Sequence, residues 1–341
     1  MAVRIGIMGF GRLGRNMFRI AHDNPDVEFV AVSDIADAES LRYLLQYSTI
    51  EGQFHDEVRL DGAYLISGRQ RTRVMKCGHP RDVPWDILGA DIVIEATGQF
   101  RRRDDLECHL DSGAKAVVLS TPPLDRIDRM IVNGVNDDEL SPDDRIISGG
   151  SSSCHALALM LKILHEKVGV RRAVMTTVHA YTSDQQLSDA AKPGLRWSRS
   201  AAQNIIPNNR WAPQAVEEIM PALRGKISGM ALNVPVPAGS NIDLVTELEK
   251  PLSAVEVNAI VKEAAEGDYQ GLVQYTDEPI VSSDVVGNGH SAIFDAKATL
   301  SLGNGMVKTV SWYDNGWGYA YRILELAMML SKQLETQEVA T

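Results

Sequence analysis

Apolar residues follow two rhythms along this chain. Residues 3–10 (VRIGIMGF), 27–34 (VEFVAVSD), 91–97 (DIVIEAT) and 116–122 (AVVLSTP) are short runs rich in β-branched side chains, which predict buried strands. Between the first two, 15–23 (RNMFRIAHD) has helical spacing. Strands that alternate with helices predict a parallel sheet joined by right-handed crossovers, and 145–150 (RIISGG) closes this series.

After residue 150 the rhythm changes. Longer strand patterns cover 173–181 (AVMTTVHAY) and 229–237 (GMALNVPVP), and strand character returns over 298–314. Helical spacing marks 254–266 and, at the end, 320–335 (AYRILELAMMLSKQLE). The expected fold class is α/β: a dinucleotide-binding domain over 1–150 and an α+β domain with a mixed or antiparallel sheet over 151–317. The segment 318–341 is expected to be a C-terminal helix packing back on the first domain. There are no repeats and no low-complexity segments.

Composition narrows the class. The chain has 341 residues, 44% hydrophobic and 23% charged, enough for two domains with their own cores. No apolar run approaches the roughly 20 residues of a membrane helix, and MAVRIGIMGFGRLG reads as strand and turn rather than a secretory leader. A net charge of −11 argues against a broad nucleic-acid footprint, although Arg101–Arg102–Arg103 could hold a small anion. Three cysteines (Cys77, Cys108, Cys154) have neither metal-ligand spacing nor a disulfide framework. The expectation is a cytoplasmic protein with no metal, membrane or nucleic-acid partner.

Gly9-Phe10-Gly11-Arg12-Leu13-Gly14 is a G-x-G-x-x-G between a predicted strand and a predicted helix. Such glycines make a tight turn and let backbone approach a pyrophosphate at the helix N-terminus. Asp34 closes the second strand, where a carboxylate holds a ribose 2′-hydroxyl and repels the extra phosphate of NADP. NAD is therefore the expected cofactor, in a Rossmann-type domain.

IGIMGFGRLGR, EATGQF (95–100), MTTVHAYTSDQQ (175–186), SAAQNIIP (200–207) and SWYDNGWGYAYR (311–322) resemble the glyceraldehyde-3-phosphate dehydrogenase family. The similarity runs from residue 3 to about 332, and erythrose-4-phosphate dehydrogenases share much of it. The resemblance implies a homotetrameric NAD enzyme that oxidises an aldehyde through a cysteine thioester and releases an acyl phosphate. Residues 181–207 would form a loop over a neighbouring subunit's cofactor site. His179 falls on the family's catalytic base, Asn315 on the asparagine that orients the nicotinamide amide, and Tyr319 on an aromatic near it. Thr97, Gly98, Phe100 and Ser120 match cofactor-lining positions.

The family's nucleophile lies in Ser-Cys-Thr-Thr-Asn-Cys at a helix start, where the partial positive charge favours a thiolate. Here the segment reads Ser151-Ser152-Ser153-Cys154-His155, which puts Ser152 in the nucleophile's place. A hydroxyl is far less acidic than a thiol, and the ester it would form transfers to phosphate less readily than a thioester. Three explanations stay open: a deliberate replacement of a catalytic cysteine, a natural loss of the phosphorylating reaction, or displacement of the nucleophile to Cys154. Cys154 lies about 200° around a helix from Ser152.

The pocket departs further. Asn233 stands where the family's main phosphate-binding arginine is expected, and Arg210 and Trp211 replace a threonine and a glycine. Trp197 replaces a loop arginine, between Arg196 and Arg199, and Met8 an asparagine. Ser151, Ser153 and Thr182 still match anion-binding positions, and Arg210 could supply a relocated cation. Two functions follow: an NAD-dependent aldehyde dehydrogenase with an altered substrate, with or without phosphate, or an inactive NAD-binding regulatory or scaffold protein.

Overall fold

The computed structural model describes residues 2–208 and 211–340, with side chains as far as 336. It divides into two compact units: Met1–Ile131, Asn136–Ser151 and Ala320–Thr341 form the first, Val132–Val135 and Ser152–Tyr319 the second.

The first unit begins with β1 (Val3–Met8), α1 (Arg12–Ala21), β2 (Val27–Ser33) and α2 (Ala38–Gln46). A meander of β3 (Arg59–Asp61), β4 (Tyr64–Ser67) and β5 (Gln70–Met75) comes next. Then follow β6 (Ile92–Glu95), α3 (Arg103–Asp111), β7 (Ala116–Leu119), β8 (Arg129–Met130) and β9 (Ile146–Ser148). These strands form one nine-stranded sheet in the order β8-β9-β7-β6-β1-β2-β5-β4-β3. Every pairing from β8 to β5 is parallel, and only β5-β4-β3 is antiparallel.

β1 stops at Met8, not at residue 10, because Gly9 turns the chain at φ 93°. A Cβ on Gly9 would lie 2.6 Å from the Thr97 nitrogen, so only glycine lets the β6 loop pass. Helix α1 starts at Arg12, three residues before the helical spacing suggested, since the glycine-rich turn itself supplies the first helical turn. The stretch 59–75, to which the hydrophobic rhythm assigned nothing, widens the sheet.

The second unit opens with α4 (Ser152–Lys167), buried on nearly every side from Ser153 to Leu164. It continues through β10 (Val170–Ala180), β11 (Ile206–Asn208), α5 (Ala212–Ile219), β12 (Ile227–Val234) and β13 (Ser240–Leu248). Helix α6 (Ala254–Glu266) leads to β14 (Val273–Thr276), β15 (Ala292–Asp295), β16 (Leu300–Gly303) and β17 (Met306–Tyr313); α7 (Trp317–Ala340) starts in this unit and from Ala320 belongs to the first. The second sheet runs β11-β12-β10-β13-β17-β15-β14, with β16 on β17. It is mixed: β10–β12 and β14–β15 are parallel, the other pairs antiparallel. The expected strand character over 298–314 resolves into a hairpin, because Asn304 (φ 50°) and Gly305 (φ 82°) reverse the chain. Helix α7 is longer than expected and includes Trp317.

In the first unit the central strands pack against Trp85, which is fully buried among Met8, Val30, Val83 and Val93. Gly6 in β1 makes room for its ring: a Cβ there would fall 2.4 Å from Cζ3 of Trp85. Gly6→Ala is therefore expected to cost about 1–3 kcal/mol of unfolding free energy through overpacking. Chemical denaturation measures it, and an unchanged midpoint would contradict this packing.

Candidate functional site

In the first unit, the residues selected from sequence gather at the carboxyl ends of the parallel strands. β1 lies between β2 and β6, so the chain leaves the sheet on either side of it, where open α/β sheets bind ligands. Asp34 accepts from the Phe10 N–H at 2.8 Å and from the Ala36 N–H at 3.0 Å. The carboxylate thus clamps the glycine-rich turn while staying partly exposed.

Gly11 is the N-cap of α1 and offers no side chain to its first N–H groups. A Cβ on Gly11 would meet nothing within 4 Å, and the same holds for Gly98. The turn from Gly9 to Gly14, with Arg12 and Leu13 partly exposed, therefore leaves a helix N-terminus open to a diphosphate.

Behind the next loop lies a buried polar chain that sequence reasoning missed. Glu95 Oε1 accepts from the Thr97 N–H at 2.7 Å and from its hydroxyl at 2.5 Å. Glu95 Oε2 pairs with His109 Nε2 at 3.2 Å, and His109 Nδ1 lies 3.0 Å from the Trp85 indole N–H. An indole only donates, so His109 Nδ1 accepts and Nε2–H points to the carboxylate. The Ser120 hydroxyl donates to the Glu95 carbonyl at 2.8 Å. Thr97 and Ser120 are held by one glutamate at the end of strand β6, and Phe100 packs against the Trp85 cluster.

In the second unit the chemistry-bearing residues sit at the ends of β10, β12 and β17. His179 and Asn233 are paired in register across β10 and β12, and both are buried. His179 Nδ1 lies 2.5 Å from the Ala180 carbonyl, so it carries the proton, and in the neutral ring Nε2 holds the lone pair of a general base. The Ala180 N–H donates to the Ser240 hydroxyl at 3.0 Å, and that hydroxyl reaches Asn315 Oδ1 at 3.4 Å. Among the described residues, Asn315 Nδ2 is buried without a hydrogen-bond partner.

Ser152 is the first residue of α4 and half-buried; Ser151, just before it, ends the first unit's share of this segment. The first turn of α4 holds no acidic residue, so its N-terminal field is unopposed there. Ser153 is turned inward, its hydroxyl 2.8 Å from the Tyr313 hydroxyl, and the Tyr313 ring stands 6.2 Å from that of His179. Tyr313 thus links the first turn of α4 to His179, a contact the sequence motif did not signal. Cys154 is fully buried beside Tyr319, whose hydroxyl is pushed well above its usual pKa by burial and by the nearby Cys154. A thiol in that position is shielded from any substrate.

The positions matched to anion binding in the sequence are engaged as follows. Asn233 Nδ2 donates to Gln185 Oε1 at 3.0 Å, and the Thr182 N–H to the same oxygen at 3.2 Å. Among the described residues, Gln185 Nε2 is a second buried donor without a hydrogen-bond partner. The Thr182 hydroxyl bonds the Asp184 carboxylate. Trp197 lies in a short 3-10 turn and Trp211 starts α5, both half-buried. Arg210 lies outside the described residues. Among the described residues no helix is long and apolar enough to cross a membrane.

Residues 3–103 match the family described as "Glyceraldehyde 3-phosphate dehydrogenase, NAD binding domain", and 151–315 the corresponding C-terminal domain. The chain is 44% identical over 334 residues to glyceraldehyde-3-phosphate dehydrogenase of Geobacillus stearothermophilus, covering 98% of this chain and 99% of that one. It is 45% identical, with the same coverage, to glyceraldehyde-3-phosphate dehydrogenase 1 of Bacillus subtilis. It is 43% identical to the Mycobacterium avium protein of that name, over 98% of this chain and all of the other. The NAD-binding domain and the open glycine turn agree on NAD as the cofactor.

Asp34→Ala removes the turn clamp and the carboxylate expected to face a ribose. NAD affinity by calorimetry is expected to fall about tenfold or more, a loss of roughly 1.4 kcal/mol or greater. An unchanged dissociation constant would show that the carboxylate serves neither purpose.

Proposed function

Because the chain belongs to the glyceraldehyde-3-phosphate dehydrogenase family, we propose that it is an NAD-dependent aldehyde dehydrogenase whose aldehyde carries no phosphate. Ser152 takes the nucleophile's place and limits its turnover. The observation that carries the substrate reading is the Asn233–Gln185 amide pair beside His179, where the family's phosphate arginine is expected. A guanidinium binds a phosphate through two charge-assisted hydrogen bonds, each worth about 1.5–3 kcal/mol. Neutral amides supply neither charge nor fork, and the Asp184 carboxylate on Thr182 adds repulsion. The two unpartnered amide donors, Gln185 Nε2 and Asn315 Nδ2, suit uncharged carbonyl or hydroxyl oxygens.

In this reading Ser152 Oγ adds to the aldehyde carbon and its proton passes to His179 Nε2. The Ala180 carbonyl holds the opposite ring nitrogen and so fixes the base in the receptive tautomer. NAD, when bound, accepts a hydride from the covalently held carbon. The product on Ser152 is an ester, which water or phosphate must then cleave. Cys154 takes no part, since it is buried. Ser153 and Thr182 would line the pocket around the acyl group held on Ser152. A homotetramer in the cytoplasm completes the proposal, supported by the exposure of Leu187, Leu195 and Ile205 on the 181–207 segment.

The test is Ser152→Cys assayed for NADH across phosphorylated and unphosphorylated aldehydes, with and without inorganic phosphate. A rise of roughly a hundredfold or more over the unaltered protein is expected, in the range that an activated nucleophile contributes. Tight NAD binding with no recovered turnover on any aldehyde would overturn the proposal. The non-catalytic NAD-binding alternative would then stand.

A further inference from the structure

Away from these residues, His22, Asp23, His55 and Asp56 meet at the C-terminal end of α1, and their four ligand atoms all lie within 4.8 Å of one another. We propose that they form a zinc site. The four side chains alternate in a ring, imidazole next to carboxylate. Asp23 Oδ2 is 3.1 Å from His22 Nε2 and 3.8 Å from His55 Nε2. Asp56 closes the ring, with Oδ2 3.2 Å from His22 Nε2 and Oδ1 4.0 Å from His55 Nε2. A tetrahedral ion with bonds of about 2.0–2.1 Å sets its ligands about 3.3 Å apart. The two short edges already have that length, and the two longer ones both end on His55, which is 65% exposed and free to turn inward.

The buried histidine makes a cation necessary. His22 is 3% exposed, and its Nδ1 lies 3.3 Å from the Arg19 carbonyl, which can only accept. Nδ1 therefore carries the proton, and in the neutral ring the Nε2 lone pair faces two carboxylate oxygens. Three acceptors directed at one point repel unless a proton or a metal ion lies among them. Zinc satisfies all four groups together: two neutral imidazoles supply nitrogen, and two carboxylates cancel its charge. The Arg19 carbonyl is the outer partner that a metal-bound imidazole needs. The end of α1 adds its own negative field.

The second ligand pair is anchored. Gln46 donates to the carbonyls of Phe54 (2.9 Å) and Asp56 (3.1 Å), and the Phe54 ring stands edge-on to both histidines. Arg19 binds the Leu45 and Gly52 carbonyls, tying the 46–56 segment to α1. The ligands are two neighbouring pairs far apart in sequence, so cysteine counting and short-motif reading both pass over them.

The test titrates metal-free, tag-free protein with Zn2+ by calorimetry, and with Co2+ by visible absorption. One ion per chain is expected, with the intense cobalt bands of tetrahedral coordination and a melting temperature several degrees higher with Zn2+. His55→Ala and Asp56→Asn, both at accessible positions, should each weaken binding about tenfold or more. Stoichiometric binding that survives both substitutions would place the metal elsewhere and overturn the proposal. So would a failure of the unaltered protein to bind, which would leave an imidazolium–carboxylate cluster.

Discussion

The chemical half of this protein is organised around the backbone of one residue, Ala180, the last of β10. Its carbonyl takes the proton-bearing nitrogen of His179, and its N–H goes to Ser240, whose hydroxyl reaches Asn315. One peptide thereby sets the tautomer of His179 and, through a single hydroxyl, holds the Asn315 amide. Parallel pairing of β10 with β12 then fixes Asn233 opposite His179. Strand register dictates which side chain neighbours His179, so a substitution at Asn233 falls beside that imidazole and not on a remote surface.

The cofactor half uses the same device with a side chain. Glu95 ends β6 and is fully buried, which is tolerable only because both its oxygens are engaged. Removing His109 would leave Oε2 of that buried carboxylate without its partner. The two halves differ in tolerance: backbone groups at Ala180 survive most substitutions, whereas the Glu95–His109–Trp85 chain depends on three particular side chains.

Much of this was legible before any coordinates. The alternation of strands and helices gives the parallel sheet, the G-x-G-x-x-G gives the open turn, and 254–266 coincides with helix α6. Residue 298–314 was less readable, because a positive-φ asparagine and glycine turn one apolar run into a hairpin. Tyr313, Gln185 and Glu95 escaped because their importance lies in partners far away in sequence, joined only by the fold. The His22–Asp23 and His55–Asp56 pairs escaped for the same reason. Ser152 stands at the opposite extreme: its position in the motif is plain from sequence, and the structure adds its place as the first residue of a buried helix.

The central claim is a dehydrogenase pocket rebuilt around neutral amides. Its most direct measurement compares kcat/KM for a phosphorylated and an unphosphorylated aldehyde in the Ser152→Cys background, with and without Asn233→Arg. A neutral pocket predicts preference for the unphosphorylated aldehyde, and a shift of about tenfold or more towards the phosphorylated one once the guanidinium is present. Strong preference for the phosphorylated aldehyde with Asn233 intact would contradict it.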